Sequence, residues 1–95
     1  MARKPSLYSN DQECWICHNP IAECHHIYGG VGRRPISDQE GCYVYLCREH
    51  HQGRMGVHQD MNLRDFFRAD CERRWCKANN KTKEDFLELF GSNYI

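Results

Sequence analysis

Two adjacent histidines, His25 and His26, open a glycine-rich stretch, and Cys47-Arg48-Glu49-His50-His51 follows about two dozen residues later. Histidines in this pattern, with His58 beyond them, can hold a divalent ion through several imidazoles and leave one imidazole free beside it. A metal next to an unligated base is the minimum equipment for cutting a phosphodiester bond. The ion stabilises charge developing on the phosphate, and the base takes a proton from water. Imidazole titrates near neutral pH, which suits it to the second task.

A second set of ligands is built from thiols. Cys14-x-x-Cys17 and Cys47-x-x-His50 are two knuckles, together a Cys3His set. Three thiolates and one imidazole in closed tetrahedral geometry are the pattern of a structural zinc. The knuckles stand about thirty residues apart. That is longer than the commonest zinc-ribbon spacing and leaves room for a hairpin and a loop between them. Cys24 and Cys42 are spare thiols that belong to neither knuckle. Cys71 falls on an apolar helical stripe and reads as packing.

The elements that must position these residues are short. Met1 to Glu13 is polar, contains Pro5 and lacks periodicity, so it reads as a mobile N-terminal arm. Residues 14–95 form one domain, with a metal core over 14–60 and a helical extension over 61–95. Ile21 to Tyr28 reads as a strand carrying the histidine pair. On a regular strand His25 and His26 would point to opposite faces, so a break in the strand is expected there. Gly29-Gly30-Val31-Gly32-Arg33-Arg34-Pro35 reads as a loop. Tyr43 to Leu46 is β-prone, and a helix limited by Gly53 and Gly56 starts near Cys47. Asn62, with Asp65 three residues on, reads as the cap of a long helix. Its stripe is Leu63, Phe66, Phe67, Cys71, Arg74 and Trp75, and Asn79-Asn80 ends it. Thr82 with Asp85 caps a last helix, whose apolar residues are Phe86, Leu87, Leu89 and Phe90; Gly91 stops it. These aromatic stripes read as core and not as a base-stacking surface. The expected fold class is α+β: a small metal core with zinc knuckles, followed by two C-terminal helices.

Composition narrows the setting. The chain of 95 residues has seven cysteines and six histidines. A core of this size is thin and gains much from a metal staple. Nothing near the N-terminus reads as a secretory signal, and no apolar run spans a membrane. A cytoplasmic location is therefore expected, with cysteines acting as ligands and buried thiols instead of disulfides. Thirteen basic residues balance thirteen acidic ones. Phosphate affinity comes largely from Lys and Arg, so the isolated domain is expected to bind DNA weakly, as a homodimer, or with an accessory protein. Arg33 and Arg34 on the glycine-rich loop are placed to straddle backbone phosphates.

Cys24-His25-His26-Ile27 and Tyr43-Val44-Tyr45-Leu46-Cys47-Arg48-Glu49-His50-His51 together resemble the HNH endonuclease motif. The resemblance covers roughly Cys14 to His58. In that ββα-metal fold a hairpin and a helix hold one divalent ion, and many members add zinc knuckles where Cys14, Cys17, Cys47 and His50 stand. The resemblance implies that His25 and His51 bind the catalytic metal (Mg²⁺, Mn²⁺, Ni²⁺ or Zn²⁺) and that His26 is the general base. His58 resembles the additional ligand of colicin-type DNases, where the spacing is shorter. The family's middle Asn has no counterpart near Cys42; Gln39, Glu40 and the backbone at Gly41-Cys42 are the nearest substitutes. The glycine- and arginine-rich insert and the ending Phe90-Gly91-Ser92-Asn93-Tyr94 also resemble small HNH proteins of phages and prophages.

Three functions follow as expectations. The leading one is a metal-dependent endonuclease or nickase acting on DNA. The alternative is a catalytically silent zinc module that binds nucleic acid or a protein, as the missing Asn and zero net charge would suit. A thiol-based redox or zinc-storage protein leaves the histidines unexplained.

Overall fold

The computed structural model describes residues 3–95. The elements run β1 (Glu23–His26), α1 (Arg34–Glu40), β2 (Tyr43–Leu46), α2 (Arg48–His51), α3 (Met61–Asn79) and α4 (Lys83–Phe90). This is a small α+β architecture. β1 and β2 pair antiparallel, with Glu23 opposite Leu46, His25 opposite Val44 and His26 opposite Tyr43. The strand with the histidine pair is shorter than expected, and it is not broken. Pairing continues through His26, and Ile27 N–H still donates to Cys42 C=O at 3.1 Å. Glu23 and His25 therefore share one face, and Cys24 and His26 the other.

The glycine-rich segment yields a helix that was not expected. α1 starts at Arg34 with Pro35 in its first turn. Proline there lacks only an N–H that no helix uses, and its fixed φ suits the first turn. Buried Ser37 donates its hydroxyl to Tyr28 C=O at 2.9 Å, tying α1 to the end of β1. Gly41 ends the helix at φ 76°, and a Cβ there would collide with the Pro5 carbonyl.

That collision marks a further correction. The N-terminal lead-in is not a free arm over its described part; Met1 and Ala2 lie outside the described residues. Lys4 N–H donates to Asp38 C=O at 3.0 Å, and Leu7 N–H to Gly41 C=O at 2.9 Å. Buried Ser6 donates its hydroxyl to Tyr43 C=O. Tyr8 meets Trp15 and Phe67 edge-on, with ring centroids 5.1 and 5.6 Å away. The segment is a strap held by backbone bonds to distant residues, which leaves no periodic trace in its sequence.

The two long helices close the core. Asp60, not Asn62, caps α3, accepting from the N–H groups of Asn62 and Leu63. α4 has the expected capping box of Thr82 and Asp85, and Gly91 stops it at φ 83°. Phe67, Cys71, Trp75, Phe86 and Phe90 are buried, whereas Phe66 and Leu87 of the expected stripes are exposed. Tyr28 packs on Phe86, Phe90 and Tyr94, joining the hairpin to the helical end. No helix among the described residues is long and apolar enough to cross a membrane.

Candidate metal centres

The thiol site lies where the Cys14 knuckle meets the end of β2. Cys14 N–H donates to Asn19 C=O at 2.9 Å, and His18 N–H to Cys14 C=O at 2.8 Å, which closes the turn. Trp15 N–H donates to Tyr45 C=O at 2.9 Å and pins the knuckle to β2. Cys47 then precedes α2, so His50 comes one turn later on the same side. Ligand atoms of Cys14, Cys17, Cys47 and His50 all lie within 4.8 Å of one another and could hold a metal ion.

The spacing within this cluster is that of a four-coordinate centre. Metal–sulfur bonds of about 2.3 Å and metal–nitrogen bonds of about 2.0 Å in a tetrahedron give S···S edges near 3.8 Å and S···N edges near 3.5 Å. Cys17 Sγ is 3.7 Å from Cys47 Sγ, and His50 Nδ1 is 3.6 Å from Cys14 Sγ and 3.2 Å from Cys47 Sγ. Burial raises the Cys14 thiol, but hydrogen bonds from the backbone of Cys47, Cys17 and Ile16 outweigh it and bring the thiol down to about 6. Cys14 is thus held ready to ionise, the form a metal needs. Cys24 and Cys42 stay out of the cluster.

The histidine site lies further around α2 from the thiols. His51 follows His50 directly, so it turns about 100° around the helix, away from the thiols. The chain then doubles back. Val57 N–H donates to His50 C=O at 2.9 Å, and His58 N–H to His51 C=O at 3.2 Å, which sets His58 beside His51. Gly56 permits the return, since a Cβ there would stand 2.8 Å from Glu49 O and from the carbonyl carbons of His50 and His51.

Ligand nitrogens of His25, His51 and His58 lie within 4.8 Å of one another. His51 Nε2 and His58 Nε2 are 3.0 Å apart, the separation of two nitrogens bound at right angles by one ion at about 2.1 Å. An ion held by these three imidazoles would have coordination positions to spare for other ligands. Burial, reinforced by His51 and His58, pushes the His25 imidazole down to about 3, and burial with His51 also lowers His58. Both effects favour the neutral, ligating form. Glu23 completes the arrangement. Its Oε1 lies 2.8 Å from His51 Nδ1, so Nδ1 carries the proton and Nε2 turns its lone pair to the cluster.

His26 is not part of the cluster, yet it lines the same space. Its Nε2 is 2.9 Å from Asp38 Oδ1, which also meets Arg3 Nε at 3.2 Å. An ionised carboxylate only accepts, so Nε2 carries the proton and Nδ1 keeps a lone pair. Two cavities, about 240 and 390 Å³, share His25, His26, Gly29 and His58. Arg34 lines one, whereas Arg64 and Arg68 line the other.

The loop arginines therefore part company. Arg34 reaches the site, but Arg33 is turned away, donating to Tyr94 Oη at 2.8 Å and Ser92 Oγ at 3.1 Å. Neither Gln39 nor Glu40 takes the place of the missing Asn beside His26: Asp38 is its partner, and Glu40 accepts from Trp75 Nε1 at 2.8 Å. Glu23, Asp38, Arg64 and Arg68 stand outside any motif, and only strand register and helix packing bring them to the site. Known protein families, curated proteins and solved structures provide no match to the chain.

Proposed function

We propose that this protein is a metal-dependent endonuclease or nickase of the HNH type that hydrolyses DNA phosphodiester bonds. Zinc at Cys14, Cys17, Cys47 and His50 would serve the fold, and a second divalent ion at His25, His51 and His58 would serve the chemistry. The observation that carries the reading is the convergence of three imidazoles beside a fourth, His26, which is oriented by Asp38 within the same groove. An ion held by the three imidazoles would supply Lewis-acid stabilisation of the phosphate charge.

The remaining steps belong to the chain. His26 Nδ1 accepts a proton from a water molecule as the water oxygen attacks phosphorus. The new P–O bond forms as the bond to the 3′-oxygen breaks, and that oxygen takes a proton from solvent. Asp38 stabilises the imidazolium that His26 becomes and keeps its ring in place. Glu23 holds the His51 ring so that its Nε2 stays turned to His25 and His58.

The test is cleavage of supercoiled plasmid with Mg²⁺, Mn²⁺, Ni²⁺ or Zn²⁺, comparing wild type with His26→Ala. Loss of a positioned base lowers the rate about 10²–10⁴-fold. Bound metal should stay at wild-type level, because His26 is no ligand. Nicked circles would identify a nickase and linear product a double-strand cutter. No cleavage by the wild type with any of the four ions, or full cleavage by His26→Ala, would refute the assignment.

A further inference from the structure

The chain carries no net charge, yet the lysine, arginine and carboxylate residues that line the two histidine cavities are all arginines. Asp38 and Glu23 stand behind the rings of His26 and His51, outside the cavity walls, and Arg34, Arg64 and Arg68 line the cavities. Two of these arginines, Arg64 and Arg68, stand four residues apart on α3 and so project from one face of the helix. They share the smaller cavity with His25, His26 and His58.

Arg68 is the more telling of the two. Its Nε is buried and has no hydrogen-bond partner among the described residues. A buried donor without a partner is costly, and native proteins seldom keep one. Its guanidinium lies 5.7 Å from the centre of the Tyr94 ring, and none of the ion pairs among the described residues involves it. Tyr28 Oη donates to the Arg68 carbonyl at 2.6 Å, which fixes the backbone from which the side chain reaches out. Among the described residues Arg64 pairs only with the adjacent Asp65, at 3.1 Å, and water reaches both side chains, 32% and 63% exposed. Such a pair is weak and exchanges readily for a better anion.

Resting on the endonuclease reading, we infer that Arg68 and Arg64 form the phosphate clamp of the groove, holding the backbone of duplex DNA against the histidine site from the α3 side. A guanidinium presents a planar fork of donors that matches phosphate oxygens, and an anion in the cavity would satisfy the orphaned Nε. The helical extension, not the glycine-rich loop alone, then supplies positive charge that the zero net balance conceals.

The experiment measures binding of a mixed-sequence duplex oligonucleotide across a salt series, with His26→Ala in every protein to prevent cutting. The slope of log affinity against log salt should fall by about 0.9 for every phosphate that is no longer neutralised. Arg68→Gln should lower it by about 0.9 and Arg64→Gln/Arg68→Gln by about 1.8, provided each side chain neutralises one phosphate. Arg73→Gln removes the same charge from an exposed position of α3 and should leave the slope unchanged. Arg68→Lys retains the charge but not the fork, so it should keep the slope while weakening binding. Thermal melting identifies any variant that fails to fold, and Arg64→Gln, altered outside the buried Nε, then carries the test. A slope that falls equally for Arg73→Gln, or that no groove variant changes, would overturn the clamp. If wild type still cuts plasmid in that case, the endonuclease reading survives. Absence of both binding and cutting overturns both.

Discussion

The carboxylate behind His51 gives the most direct measure of whether the three imidazoles form a built metal site. Glu23 Oε1 accepts from His51 Nδ1 at 2.8 Å, and the His51 side chain is 12% exposed. Removing an outer carboxylate of this kind typically weakens metal binding 10–100-fold, about 1.4–2.7 kcal/mol. The Glu23 side chain is 41% exposed, so water can partly replace it, which places Glu23→Ala near the tenfold end. Glu23→Gln keeps an acceptor but loses the charge. Charge-assisted hydrogen bonds are about twice as strong as neutral ones, so about half of the free energy should remain, an affinity loss of about threefold. The assay is calorimetric titration of zinc-loaded protein with Mn²⁺ or Ni²⁺, accompanied by nitrogen NMR of the His51 ring. In wild type the proton should reside on Nδ1, and in Glu23→Ala it should redistribute between the two nitrogens. Melting in the absence of the second ion should change little, because the pairing of Glu23 with Leu46 uses the backbone, and its side chain has no hydrogen-bond partner but His51 among the described residues. Affinity within twofold of wild type for Glu23→Ala would refute the role, as would a wild-type ring protonated on Nε2.

Two further outcomes are expected. Stripping the thiol-site metal with a strong chelator, or replacing Cys47 with Ser, should unfold the domain and abolish binding at the histidine site. Structural zinc contributes about 10–16 kcal/mol in small zinc domains, as much as or more than the 5–15 kcal/mol of a whole fold; circular dichroism and metal titration check this, and a stable stripped protein would contradict it. The second outcome is a pH dependence before the second ion is added: burial holds His25 at about 3 in the fold against an ordinary 6.5, so the unfolded chain binds the extra proton between these values. Stability then rises with pH across that window and is lost as pH falls through it. Melting temperatures of wild type and His25→Leu should converge, or cross in favour of the variant, as the buffer is taken below pH 6.5.

Local signals in the sequence located several elements well. Tyr43–Leu46 is a strand because four β-prone residues sit between a glycine turn and a capping position. Thr82, Asp85 and Gly91 punctuate α4 because capping is a matter of near neighbours. The knuckle residues and the histidines that converge with His25 were legible for the same reason: ligand spacing is local, and the hairpin needed only to bring two local patterns together. Segments whose structure depends on distant partners were not legible. α1 was hidden because glycines and Pro35 look like loop signals, although a proline in the first turn starts a helix as readily as it ends one. The strap from Lys4 to Tyr8 is fixed by Asp38, Gly41 and Tyr43, and nothing in its own residues announces that. Asp38 and Glu23 look like ordinary surface acids until strand register and α1 bring them to the rings they orient.

α2 explains how so small a domain can hold a preorganised site. It is one turn long, Arg48–His51, too short to be stable alone. Cys47 and His50 face the thiols, and the next residue, His51, faces His25 and His58. The carbonyls of His50 and His51 in turn accept from Val57 and His58, so the segment that delivers the third imidazole is registered against the same turn. Any force that clamps Cys47 and His50 to Cys14 and Cys17 therefore also sets the angle of His51 and the position of His58. On the other side, Val57 is buried, and β2 packs Val44 and Leu46 into the same core. The histidine site thus borrows its rigidity from the thiol cluster and the core. Its open face needs no packing of its own, and the cavities between β1, α1 and α3 can stay open beside the three imidazoles.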